Sequence, residues 1–356
     1  MQLAICKLHY CQLPTRELIM KTGVLLINLG TPNSPSVRDV RKYLRQFLND
    51  RRVIDVPFLW RSLLVNFFIV PFRAPKSAKL YQKIWTDKGS PLLLHGRSVK
   101  QKLQQELGND FIVELGMRYQ DASIKMALEK LKKERLEKMI ILPLYPQYAS
   151  SSTGSSVEEV LKIIASWEVT PTINVINKFY DRPDFIASWI EIAKEYNLNE
   201  YDHILFSYYG LPARQIKKAS EHYGAGYCQF GKCCEMINAN NQYCYRAASF
   251  ETTKRIAEQL NIPKEKYTIS FQSRLGRTPW IKPYSDEVIV EKAKQGVKKM
   301  LVFSPAFVAD CLETLYEIQI EYNDLFKEHG GQKIQLVRSL NDHPSWIKTL
   351  KNMVLE

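Results

Sequence analysis

Nearly continuous apolar runs recur along this chain and alternate with longer stretches in which apolar residues return every three or four positions. GVLLINLG (23–30), FIVELGM (111–117) and KMIILPLYP (138–146) are of the first kind. So are TINVINKF (172–179), HILFSYYG (203–210), YTISFQS (267–273) and KMLVFSP (299–305) in the second half. Runs this short and this apolar predict strands buried on both faces, and the amphipathic stretches between them predict crossover helices. Each run closes in a Gly, Pro or Ser turn, as strand ends in β-α units do. The expected class is α/β, with two similar lobes, each a parallel sheet flanked by helices. The first lobe is expected over residues 20–170 and the second over 171–339, with helical pattern across 340–356 packing back on the first. Met20-Lys21 stands directly before the first strand, so residues 1–19 are expected to be disordered or to lie upstream of the true start.

In open α/β sheets, ligands bind beyond the carboxyl ends of the strands. That rule points to the residues following Leu29, Met117, Tyr145, Tyr208, Gln272 and Phe303. After Phe303, SPAFVADCLETLYEIQIEY (304–322) carries Asp310, Glu313, Glu317 and Glu321 at three- and four-residue spacing. On a helix these carboxylates stack along one side, where they repel one another and raise each other's pKa. Such a stripe suits either an exposed face or a site that passes protons or a divalent cation through hard oxygen donors. In YPQYASSSTGSSVEEV (145–160), hydroxyls and one glycine open a helix. This is either an over-capped helix start or an anion site. In SFQSRLGRTPWIKPYSDE (270–287), Arg274, Arg277 and Trp280 form an ordinary loop or a seat for a flat, anionic ligand.

Composition narrows these choices. A chain of 356 residues is comfortable for two domains, and 45% hydrophobic with 24% charged residues is ordinary for a folded protein. The net charge of +13 raises nucleic acid and anionic lipid as partners. No concentrated basic arm or reading motif is present, and the stretch 125–138 interleaves acids with bases, so nucleic acid is not expected. No apolar run reaches the ~20 residues of a bilayer span, and the N-terminus lacks a secretory pattern. Seven cysteines, four of them in one short segment, point to a reducing compartment and a cytoplasmic location. Neither GxGxxG nor a Walker A motif follows any predicted strand, which disfavours a generic nucleotide-binding protein.

Six motifs taken in order carry something more specific: LINLGTP (26–32), MRY (117–119), YPQYASSSTGSS (145–156), LFSYYGLP (205–212), FQSRLGRTPW (271–280) and SPAFVADCLETLYEIQIEY (304–322). Together they resemble the ferrochelatase family, bacterial type, over nearly the whole chain from Met20. The resemblance implies two Rossmann-like lobes and insertion of Fe2+ into protoporphyrin IX to give protohaem, the last step of haem synthesis. It implies that Glu313 is the catalytic glutamate, with Glu317 and Glu321 on a metal or proton path. It places Arg118, Tyr119 and Leu29 in the cleft near the macrocycle and Trp280 against the ring. Arg73 and Ser90 fall where propionates are held, and an arginine fork with a hydroxyl suits a carboxylate. Fe2+ and protoporphyrin IX are then substrates.

One departure matters. The family pattern has histidine before Gly-Leu-Pro, and here that position is Tyr209, which inherits the catalytic and metal-contact place. Imidazole titrates near neutrality, whereas an unperturbed phenol titrates near ~10 and is a poor base at pH 7. Losing a general base typically costs ~10²–10⁴-fold in rate. A second reading is therefore a porphyrin- or haem-binding homologue with reduced or lost activity. A chelatase for another metal such as cobalt fits the acidic stripe equally, since carboxylates select weakly. Cys228, Cys233, Cys234 and Cys244 could ligate a [2Fe–2S] cluster or zinc, or remain free thiols. His203, six residues before Tyr209, reads as a core histidine, and Cys311 as a packing residue. VPFLWRSLLVNFFIVPFRAPK (56–76) is apolar and aromatic but too short and too interrupted by proline to span a bilayer. It is a core helix or an exposed lip that dips into a membrane surface, which would make the protein peripheral at the inner membrane face.

Overall fold

In the computed structural model, described over residues 20–356 apart from 222, 223, 225, 275 and 277, the apolar runs form two four-stranded parallel sheets. Residues 1–19 and Arg277 lie outside the described residues. The first sheet contains β1 (Lys21–Gly30), β2 (Phe111–Tyr119), β3 (Leu136–Pro143) and β4 (Thr172–Val175), in the order β2-β1-β3-β4. The second contains β5 (His203–Tyr209), β6 (Tyr267–Gln272), β7 (Lys299–Phe303) and β8 (Lys333–Leu336), in the matching order β6-β5-β7-β8.

Alternation along the inner strands explains how the sheets pack. Successive side chains of a strand point to opposite faces. Val24 and Leu26 of β1 enter a cluster that also takes Ile204, Phe206, Leu301 and Phe303 from the second sheet. Leu25 and Ile27 enter a separate cluster under the helices Ile124–Lys132 and Ser155–Ile164. On the far side of the second sheet, Leu205, Met300 and Val302 pack under the helices Ser285–Lys294 and Asn323–Glu328. The shared cluster between the sheets is filled by Phe179, Phe185, Trp189 and Trp346, all fully buried. Trp346 belongs to the C-terminal helix Pro344–Leu355, which packs against Pro91–Leu107 and Pro183–Ala193.

Two elements differ from the sequence pattern. Thr172–Val175 pairs with β3 at the edge of the first sheet, so that sheet extends past residue 170 and the strand does not open the second lobe. β8 is an added strand of four residues with alternating burial, too short to stand out as an apolar run.

Close approaches at the strand ends fix two glycines. Gly30 ends β1 at φ +109°, and a Cβ there would strike the Tyr119 carbonyl. At Gly210, directly after β5, a Cβ would lie 2.6 Å from the Gln272 carbonyl oxygen and 3.3 Å from the Trp280 ring.

Candidate active site

The ends of β1, β5, β6 and β7 surround a cavity of about 510 Å³. One wall comes from the amphipathic helix Val37–Leu48, which is capped by Ser36 through the Asp39 N–H and buries Val40, Tyr43, Leu44 and Leu48. Another comes from the helical arm that starts at Phe58 and ends with the helix Val70–Ile84. Leu29, Arg73, Ser90, Tyr209, Trp280 and Glu313 all line this cavity. Sequence positions spread over nearly the whole chain are thus brought to one place. Ser90 accepts a hydrogen bond from Thr31 at 2.8 Å, and the Arg73 guanidinium makes no hydrogen bond or ion pair with any described residue.

Glu313 is the only carboxylate among the described lining residues, and no histidine is among them. It starts a π-helix, Glu313–Tyr322, ten residues long. Its i→i+5 winding is rare and occurs mostly as single turns at functional sites. Glu317 lies half-buried one turn behind Glu313. There it accepts hydrogen bonds from Ser273 Oγ, from Tyr322 Oη at 2.9 Å and from Gln272 Nε2 at 3.1 Å. Burial outweighs these donors and, with the Glu313 charge adding to it, lifts the Glu317 carboxyl to about 7. Gln272 also donates to the Glu313 carbonyl and accepts from Ser207, so β5 and β6 both hold the start of the π-helix. Glu321 reaches the surface, its pKa raised by partial burial and the Asp286 charge. Asp310 does not belong to this line. It is buried and accepts bonds from Thr314, Asn341 and the Ser339 N–H, which pins the turn before the π-helix.

Around Glu313 the cavity holds neutral acids. Burial first, and the Glu313 charge second, push the Tyr209 phenol well above its usual range. Burial does the same to Tyr81 and Tyr43, with Glu313 contributing, and to the thiol of Cys311, which also lines the cavity. Tyr209 packs edge-on against Phe307 with ring centroids 6.3 Å apart.

Arg118 and Tyr119 stand behind the wall. Arg118 donates to Asp50 at 2.8 Å and to Ser155 at 2.7 Å, and Tyr119 donates to Asp50 at 2.9 Å. Burial alone would raise the Asp50 carboxyl, but the donors Ser155, the Arg52 N–H, Tyr119 and Arg118 overcome it and hold the pKa below the usual range. The hydroxyl-rich helix start at 150–156 therefore does meet a carboxylate, that of the chain's own Asp50, while Ser151 and Ser152 remain on the cavity wall. Arg274 faces outward to Asp286 and Glu287. His203 is buried against Thr268 at the far end of β5, with burial lowering its pKa to about 4.

The four loop cysteines are gathered near one another, with the Cys233 and Cys234 sulfurs 4.0 Å apart and Asn241 bracing the loop through the Cys233 and Met236 carbonyls. Among the described residues, however, no three His, Cys, Asp or Glu side chains are grouped so as to hold a metal ion. The arrangement therefore gives no support to the [2Fe–2S] cluster or the zinc site that the four cysteines suggested. The apolar arm is open on one side. Val65, Val70, Ala74 and Ala78 pack inward, while Phe58, Leu59, Trp60, Phe67, Phe68 and Phe72 are each 66–72% exposed. Among the described residues, no helix is long and apolar enough to cross a membrane.

Two sheets of matching order, closing on a cleft entered by a carboxylate-bearing π-helix, define a two-lobed α/β protein of the chelatase type. The fold is similar to that of SirB from Bacillus subtilis with Fe3+, at a TM-score of 0.52 and 12% identity over 95% of each chain. It is also similar to the sirohydrochlorin chelatase SirB from Bacillus subtilis subspecies spizizenii in complex with cobalt, at a TM-score of 0.53 and 11% identity over 95% of each chain. In sequence the chain is 46% identical to a ferrochelatase of Coxiella burnetii (strain Dugway 5J108-111) over 340 residues, covering 94% of this chain and 93% of the relative. It is 46% identical to a ferrochelatase of Legionella pneumophila (strain Philadelphia 1) over 339 residues, covering 95% and 99%. The ferrochelatase family model matches residues 21–356, and the chain belongs to the ferrochelatase family.

Proposed function

We propose that the chain inserts Fe2+ into protoporphyrin IX, with Glu313 as the group that receives the pyrrole protons. The observation that carries this is a cavity between two lobes whose described lining holds a single carboxylate, backed by the half-buried, hydrogen-bonded Glu317. Two N–H protons must leave the macrocycle as the metal enters, so the site needs an acceptor and an exit. Tyr209 is not proposed as that acceptor, because burial and the Glu313 charge raise its phenol further above the usual range. It acts as a hydrogen-bond donor or a neutral oxygen contact for the metal. Glu313 takes a proton and passes it to Glu317, whose pKa of about 7 suits receipt and release near neutrality, and Glu321 delivers it to solvent. Arg73 and Ser90 hold a propionate, and Leu29 and Trp280 pack on the flat ring. Arg118 and Tyr119 act from behind the wall, through Asp50 and Ser155.

The exposed apolar arm is read as a lip that dips into the membrane surface while porphyrin enters. Residues 56–84 carry no acidic residue, and Lys76, Lys79 and Lys83 are exposed along them, which favours an anionic surface. On this reading the protein is cytoplasmic and peripheral at the inner membrane face.

The test is anaerobic iron insertion into protoporphyrin IX by the chain as it stands, by Tyr209→His and by Glu313→Gln. Turnover by the first two and loss in the third is expected. Turnover by Tyr209→His alone, with both forms binding porphyrin, would make the natural chain a binder.

A further inference from the structure

Among the described lining residues of the cavity, two carry positive charge: Arg73 on the first-lobe arm and Arg214 on the second-lobe helix Ala213–Ser220. Arg73 is accounted for by one propionate. Protoporphyrin carries two, and bringing the second into the cleft without a partner would strip an anion of its hydration uncompensated. Arg214 is built to meet it. Its Nε and Nη2 both donate to Asp55 Oδ1, at 2.8 and 2.5 Å, from a residue 159 positions away on the opposite lobe. That pairing uses one edge of the guanidinium. Nη1 donates to no described residue, and the side chain keeps 45% of its exposure. The neighbouring Gln215 donates to the Val53 carbonyl at 3.1 Å, which fixes the start of the helix against the same segment. The guanidinium is thus held on the cavity wall with donors to spare, so little side-chain freedom is lost when an anion arrives.

We propose that Arg214, oriented by Asp55, is a second carboxylate-binding residue of the cavity and takes the substrate propionate that Arg73 does not. This rests on the porphyrin reading of the site. It differs from a simple inter-lobe tie, in which Arg214 and Asp55 would matter equally and the ligand's charge would not matter at all.

The experiment is fluorescence titration with protoporphyrin IX and with its dimethyl ester, on the full chain and on Arg214→Gln, Arg214→Lys and Asp55→Asn. Arg214→Gln is expected to weaken protoporphyrin binding about tenfold, as for one charge-assisted hydrogen bond, and to leave the diester unchanged. Arg214→Lys should keep part of the affinity, and Asp55→Asn should change it less than about threefold. An equal loss for acid and diester overturns the proposal, as does Asp55→Asn matching Arg214→Gln, because either makes the pair a structural tie. Unchanged acid binding by Arg214→Gln overturns it while leaving the porphyrin reading intact. No binding of either porphyrin by the unmodified chain removes both.

Discussion

Glu313 and Glu317 are four residues apart on one helix and both half-buried, yet one lines the cavity and the other is hydrogen-bonded by Ser273, Gln272 and Tyr322. Spacing alone placed both on a stripe and could not say which faces the cavity. Asp310 was read into the same stripe because its captors, Asn341 and Ser339, lie some thirty residues further on. Replacing Glu313 by Gln keeps its shape and removes the acceptor. The turnover number for iron insertion should fall ~10²–10⁴-fold while porphyrin binding, followed by fluorescence, is retained. A fall of less than threefold would move proton removal elsewhere. Glu317 leaves a mark on stability. Its carboxyl titrates near 7 in the fold against ~4.3 unfolded, so between those values the folded state keeps a proton the unfolded state has lost. Stability therefore falls as pH rises through that window, by at most about 4 kcal/mol in total. Glu317→Gln removes this cost. Its melting temperature relative to the parent should climb from pH 4.5 to 7.5 and then level off, and a difference independent of pH would show that the carboxyl is not held neutral.

Elements with a strong pattern were legible and weak ones were not. β1, β3 and β5 are near-continuous apolar runs buried on both faces, and their identity needs no context. β4 and β8 have four residues each and are half open, so neither their lobe nor, for β8, their existence could be read. The π-helix was read only as a helix, because carboxylates three and four apart fit either winding. The arm at 56–76 left a core helix and a lip as alternatives because composition does not reveal which side is covered, and the burial of Val65 and Ala74 beside exposed Phe67 and Phe68 separates them. Phe67 and Phe68 make a direct test. The parent should co-sediment with vesicles containing anionic lipid and release at high salt. The double change Phe67→Asp, Phe68→Asp should abolish sedimentation with a melting point nearly unchanged, since both side chains are about two-thirds exposed. Equal sedimentation of both proteins would remove the arm from the membrane reading.

At the scale of the whole molecule, the two sheets share one hydrophobic cluster, so neither lobe owns a complete core. This is why the two-lobe pattern was visible from strand repetition while the residue boundary near 170 was not: the chain between β4 and β5 contributes Phe179, Phe185 and Trp189 to both sides at once. The cavity is similarly joint property, with Glu313 and Tyr209 from one lobe and Arg73 and Ser90 from the other. Trp346 puts this to the test from the far end of the chain. It is fully buried, packs tilted against Phe179 with ring centroids 5.7 Å apart and edge-on against Phe185 at 6.0 Å, and its indole N–H finds no acceptor among the described residues. Truncation to alanine should cost about 3–5 kcal/mol, whereas Trp346→Phe, which also removes the orphaned donor, should cost much less. If the cluster couples the lobes, amide protection in β1 and β3 and in β5 and β7 should fall together in Trp346→Ala, with one melting transition by every probe. Protection lost in β1 and β3 but kept in β5 and β7 would mean that the second sheet folds without its partner, and the cavity would then be an interface between two independent units.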